Sequence, residues 1–137
     1  MSSEKPTIHQ RFWPNGQLKE EWSEVNGLKE GWRRFWLENG RMFSEMEFHA
    51  GKGNGSIREW NADGTLILEA TVKDGEFHGR FKSWWASGLL KEEGVYDSGR
   101  QTTGYRHYTQ SGELWKEYKD ESDNPAEPPP FSGADIP

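Results

Sequence analysis

The chain has 137 residues, a net charge of −6, no cysteine, 31% hydrophobic residues and 14% aromatic residues, with eight tryptophans. Without cysteine there is no disulfide framework and no thiolate metal site; without a basic surface, free nucleic acid and anionic membrane are poor partners. So many rings in so little apolar material predict one thin domain braced by large flat side chains, with no deep core.

The opening stretch, Met1 to Pro6, has no apolar run of the signal-peptide kind. No later run approaches the length of a transmembrane helix. The expectation is a soluble, cytoplasmic protein. From residue 6 to 119 the chain then repeats itself. Phe12, Trp36, Trp60, Trp84 and Tyr108 stand 24 residues apart, and so do Gly16, Gly40, Gly64, Gly88 and Gly112. Leu18, Met42, Leu66, Leu90 and Leu114 keep the same step, as do Glu21, Glu45, Glu69, Glu93 and Glu117. A fixed period of this size marks a repeat array. Stacked repeats build long binding surfaces, and they seldom build active sites.

Each copy holds two extended runs and two turns. Asn15-Gly16, Asn39-Gly40, Asp63-Gly64, Ser87-Gly88 and Ser111-Gly112 read as type I′ hairpin turns, which need positive φ at both central residues. A second glycine-bearing connector follows at Asn26-Gly27, Ala50-Gly51, Asp74-Gly75 and Ser98-Gly99. The fold class is therefore all-β: a single-layer antiparallel meander of about five 24-residue β-hairpin repeats, about ten strands in all. A two-residue turn sets Trp36 opposite Phe43 and Arg34 opposite Glu45. The same rule pairs Arg58 with Glu69, Lys82 with Glu93, Arg106 with Glu117 and Gln10 with Glu21. Opposite charges so placed are worth roughly 0.2–1 kcal/mol each.

Strand alternation then assigns faces. One carries the Arg–Glu pairs and the aromatic ladder Phe12, Trp36, Trp60, Trp84 and Tyr108, bridged by Phe43, Ile67 and Trp115. The other carries Leu18, Met42, Leu66, Leu90 and Leu114, with Trp22, Met46, Ala70, Phe48, Val72 and Tyr96. If the ladder rings are buried, Trp60→Ala costs on the order of 3 kcal/mol. Glu24 fills the slot of Phe48 and Val72, which suits a polar end cap. Thr103 replaces the glycine of Gly31, Gly55 and Gly79, so an irregular connector is expected there. Residues 120–137 form an acidic, Pro-rich tail with five acids and no Lys or Arg. Its Pro128–Pro130 run favours polyproline II. The tail is either disordered or anchored on the last strands by Phe131 or Ile136.

The pattern Trp-Leu-Glu-Asn-Gly-Arg-Met at 36–42, closed by Glu45 and echoed at 12–21, 60–69, 84–93 and 108–117, resembles the MORN repeat. More closely, it looks like the bacterial variant described as YwqK-type antitoxins. The resemblance spans about residues 8–119. It implies a single-layer sheet of hairpins acting in protein association, as an immunity or antitoxin partner that neutralises a toxin. The alternative it implies is a scaffold that joins cellular proteins or touches a membrane surface; a toxin gene next door would favour the first.

No catalytic constellation emerges. His9, His49, His78 and His107 are not at metal-ligand spacing, and no nucleophile elbow, P-loop or dinucleotide fingerprint occurs. Gly51–Gly55 is a connector, and the periodic glutamates already have basic partners. Rings beside arginines suit single-stranded nucleic acid, but packing along the sheet explains them better. Neither enzyme activity, cofactor nor metal is expected. The partner is expected to be a protein, with a toxin domain favoured. Side chains that interrupt the repeat are the best contact candidates: Trp13, Leu37 and Trp85 just before the turns, and Phe43 and Trp115 on the aromatic face.

Overall fold

The computed structural model describes residues 5–119. Among these there is no helix, and eleven strands form one sheet. The strands β1 (Thr7–Phe12), β2 (Leu18–Val25), β3 (Leu28–Trp36), β4 (Met42–His49), β5 (Lys52–Trp60), β6 (Leu66–Lys73), β7 (Glu76–Trp84) and β8 (Leu90–Asp97) follow one another as an antiparallel meander. β8 then pairs with both β9 (Arg100–Gln101) and β10 (Arg106–Tyr108), and β11 (Leu114–Glu117) ends the order. The all-β hairpin array is as expected. The acidic tail, with Pro128–Pro130, Phe131 and Ile136, lies outside the described residues.

The turns differ from expectation. Gly40 has positive φ, but Asn39 does not. The Gly40 N–H donates to the Leu37 carbonyl at 2.9 Å, and the Leu37 N–H to the Arg41 carbonyl at 2.8 Å. This is a three-residue loop, Glu38-Asn39-Gly40, with glycine in the left-handed position. Asn39 contributes through its side chain, whose Oδ1 accepts the Arg41 N–H at 2.9 Å. The type I′ geometry sits at the other connectors, where both residues have positive φ: 54° and 79° at Asn26-Gly27, 51° and 86° at Asp74-Gly75. Any non-glycine there is strained, and Asn and Asp tolerate it best.

The longer loop pairs Trp36 with Met42, not with Phe43. Yet Arg34 faces Glu45 as expected. Phe43 is an extra residue in β4, a bulge that restores the register. Lys19, Ile67, Lys91 and Trp115 occupy the same bulge in the other repeats. Loop and bulge are each off by one residue, in opposite senses, so the Arg–Glu register survives a misread turn.

Face assignment needs a second correction. Directly paired residues share a face, so Leu18, Met42, Leu66, Leu90 and Leu114 lie beside the ladder rings they pair with. The other face holds the core. Ile57, Leu68, Ala70, Val72, Phe77, Phe81, Tyr96, Tyr105 and Tyr118 form one buried cluster, with Met46 packed against it. Fully burying such a side chain contributes roughly 1.5–3 kcal/mol. The N-terminal third of this face is different. Phe35 is buried there, and beside it Glu20, only 6% exposed, binds Arg33 at 2.6 Å and Arg11 at 3.2 Å. Glu24 caps the end as expected, accepting the Trp22 indole N–H at 2.8 Å.

One row of the core face changes size steadily. Trp22, Met46, Ala70 and Gly94 shrink along the chain, while Ile57, Phe81 and Tyr105, which face the last three of them, grow. Close packing demands that large meet small. The last step is the extreme case: a Cβ on Gly94 would run into the Tyr105 ring, and Tyr105 is 0% exposed.

Candidate functional site

The face opposite the core carries an alternating row of charge. Gln10, Glu21, Arg34, Glu45, Arg58, Glu69, Lys82, Glu93, Arg106 and Glu117 stand side by side, one on each of ten strands. The sequence placed these pairs within hairpins. The structure also pairs them between hairpins, as Glu45 with Arg58 and Glu69 with Lys82. Arg34 Nε lies 3.1 Å from Glu45, whose other oxygen is 3.4 Å from Arg58; Arg58 Nε reaches Glu69 at 2.8 Å. The hydrogen bond that Arg58 donates to Glu69, helped by the one to Glu45, raises the Arg58 pKa against the opposing cost of burial. Gln10 donates to Glu21 at 2.7 Å, and Arg106 meets Glu117 at 3.3 Å. Pairs this exposed contribute roughly 0–1 kcal/mol each. Their main effect is to fix a sign pattern on the surface.

The aromatic ladder borders this row. Trp36, Trp60, Trp84 and Tyr108 are half-buried, and Phe12 is 57% exposed. Among the described residues, no ring contact joins one ladder ring to another. Each stands instead directly across the strand pair from its leucine or methionine partner. Tyr108 also donates its hydroxyl to Glu93 at 2.6 Å, which raises its pKa.

The five contact candidates fall in separate places. Trp13 and Trp85 are staples between neighbouring hairpin turns. The Trp13 indole N–H donates to the Trp36 carbonyl at 2.9 Å, and that of Trp85 to Thr109 at 3.1 Å. Lys19 and Lys91 cover their rings at 4.5 and 4.7 Å. Leu37 is half-buried and closes its turn through its backbone. Phe43 leaves the aromatic face, because its bulge turns it onto Phe35 at 6.1 Å. Trp115, the equivalent bulge residue, lies 5.6 Å from His107 and is 62% exposed. Trp13 and Phe43 share Phe35 as a neighbour; Trp85 and Trp115 belong to the other end of the array.

Sequence reasoning missed a polar cluster at that end. Tyr105 donates to Glu92 at 3.0 Å, and Gln101 donates to the Tyr96 hydroxyl at 3.0 Å. His107 lies 3.4 Å from Gln101 and 3.8 Å from Glu92. Burial pushes the Tyr96 pKa up to about 12 and that of Tyr105 higher still. Burial also lowers the His107 pKa, against the pull of Glu92. The signal was present: Gly94 and Gln101 both break the 24-residue pattern. Among the described residues, no group of three or more His, Asp or Glu is placed to hold a metal ion.

A family model described as a MORN repeat variant matches residues 7–23. The match supports a MORN-repeat protein. It covers β1, the first turn and most of β2, one hairpin of the array. The family and the fold together suggest a repeat-based scaffold that binds protein. No curated protein matches the chain.

Proposed function

We propose that this chain is a cytoplasmic immunity protein that binds a toxin domain and neutralises it by occlusion, without catalysis. The observation that carries the reading is the alternating charge row bordered by partly exposed rings. Strands are roughly 4.8 Å apart, so like charges recur at about twice that distance. Such a pattern selects a partner of mixed charge held in one register, since misplaced like charges cost several kcal/mol. A nucleic acid backbone would meet a glutamate at every second step and be repelled. Half-buried tryptophans beside the row supply anchoring area of the kind that dominates interfaces.

The test pairs the purified chain with the product of the gene next to its own, reading toxin activity and stoichiometry together. One-to-one inhibition that is lost when Glu45 and Glu69 are both changed to Lys supports the reading. A toxin that stays active when bound, or fails to bind at micromolar concentration, ends the immunity assignment and leaves the scaffold.

A further inference from the structure

We propose that the break in the fifth repeat forms an anion site on the charged face, which takes a side-chain carboxylate from an extended segment of a protein partner. The proposal deepens the protein-binding reading and rests on it.

In repeats two to four the strand that opens each hairpin is continuous: β3, β5 and β7 have nine residues each. In the fifth it splits into β9 and β10. Between them Thr102 donates its N–H and its hydroxyl to the Val95 carbonyl, at 3.0 and 2.8 Å. The Gly104 N–H reaches across to the Tyr118 carbonyl at 2.6 Å. Tyr105 then drops to the core side beneath Gly94. As a result the edge of β8 that faces β9 and β10 has ladder partners at Glu92–Glu93 and at Tyr96–Asp97, but none at Gly94 and Val95, which pair only with β7.

The gap opens a cleft of about 400 Å³ whose charged lining is Arg80, Lys82, Arg106 and Glu93. Elsewhere on the row, Arg34 and Arg58 are neutralised by glutamate. Here Arg80 and Lys82 make no ion pair among the described residues. Arg80 also belongs to no periodic set, since Ile8, Trp32, Ser56 and Gly104 hold its slot in the other repeats. Glu93 is the single acid, and one of its oxygens already accepts the Tyr108 hydroxyl.

This balance favours a single negative charge. Two unpaired cations match one carboxylate, and Arg80 can grip it with two parallel N–H donors. A dianion or polyanion would also meet Glu93, with Glu69 and Glu117 on either side. Val95, 47% exposed at the rim, gives the residue beside the carboxylate an apolar surface. That combination points to a peptide segment in preference to a free inorganic anion.

The test titrates the ¹⁵N-labelled full chain with a capped Ala-Leu-Glu-Leu-Ala peptide, its Gln analogue, and inorganic phosphate. The expected result is a shift of the Gly94, Val95 and Gly104 amides by the Glu peptide, with the Gln analogue weaker by about tenfold or more. Arg80→Ala with Lys82→Ala should abolish the shift and leave the melting temperature unchanged, since both side chains are exposed. Equal binding of the Gln analogue overturns the proposal, as does phosphate binding more tightly than the Glu peptide. So does an affinity gain of about tenfold when the five tail acids are neutralised to Asn or Gln, because the chain's own tail would then be the occupant. Failure here is distinct from failure of the immunity reading. A toxin that binds wild type and double variant equally removes the cleft and keeps the function. A Glu peptide that binds while the toxin does not keeps the cleft and removes the function.

Discussion

At the N-terminal end of the core face, Glu20 gathers two arginines around Phe35. At the C-terminal end, Tyr105 is sealed among Phe81, Tyr96 and Tyr118. The same hairpin frame serves both ends, although its opening strand splits into β9 and β10 at the second. The difference shows that periodic residues set the frame, while residues free of the period decide where the frame is dry.

The most severe way to test this contrast is to empty the dry end. Phe81→Ala should cost about 3–5 kcal/mol, the range for a buried phenylalanine. Phe12→Ala, at an exposed ladder position, should cost less than about 1 kcal/mol. Urea denaturation of both variants decides the matter, and equal losses would mean that stability is spread evenly along the array.

Overfilling the same end comes next. Gly94→Ala pushes a methyl group into the Tyr105 ring, at an expected cost of about 1–3 kcal/mol. Combining it with Tyr105→Phe should not restore stability, because the clash is with the ring, not the hydroxyl. A double variant as stable as wild type would place the strain elsewhere.

At the polar end the effect should be smaller. Glu20→Gln weakens two charged hydrogen bonds, but Arg33 and Arg11 can turn to water, so the loss should be about 1–2 kcal/mol. A larger loss, measured in the same denaturant series, would show that the N-terminal repeats depend on this buried carboxylate as much as the others depend on rings.

The subtlest contrast is in pH. Burial holds the folded His107 below its ordinary value of 6.5, so the unfolded chain takes up the proton first. Its contribution is present above about pH 6.5 and is lost as pH falls towards the depressed folded value. His49 runs the other way. Its hydrogen bond to Glu30 raises its pKa, so its small contribution is present below about pH 6.5 and lost as pH rises through the raised value. Ring-proton NMR titration should find His107 below His49, and the reverse order would contradict the burial of His107.

Much of the fold was legible because it is written five times. Period, hairpin meander and Arg–Glu register came from recurring residues, and the cap at Glu24 from a break in the recurrence. The turns were misread because Asn39-Gly40 satisfies two loop geometries, and the deciding hydrogen bond from Gly40 to Leu37 is not visible in composition. That single residue then moved Phe43 and Trp115 to the wrong face. It also set Met42 and its equivalents opposite the rings they in fact accompany. The cost expected for Trp60→Ala is conditional on burial; the ring is half-exposed in the structure, so the cost falls below the roughly 3 kcal/mol of a buried ring. The charged cleft was hidden for a different reason. It arises from a gap between strands, and Arg80 has no periodic counterpart to call attention to it.

The size gradient from Trp22 to Gly94 gives the array a reading direction. Backbones of successive repeats are interchangeable, but their interiors are not. A copy of the third repeat spliced after itself would set Ile57 beside Ala70, where Phe81 of the following repeat now fills the space. The chain therefore cannot be lengthened by simple duplication, as a tandem array otherwise invites. Its five units are words in a fixed order, and the order is enforced by volume.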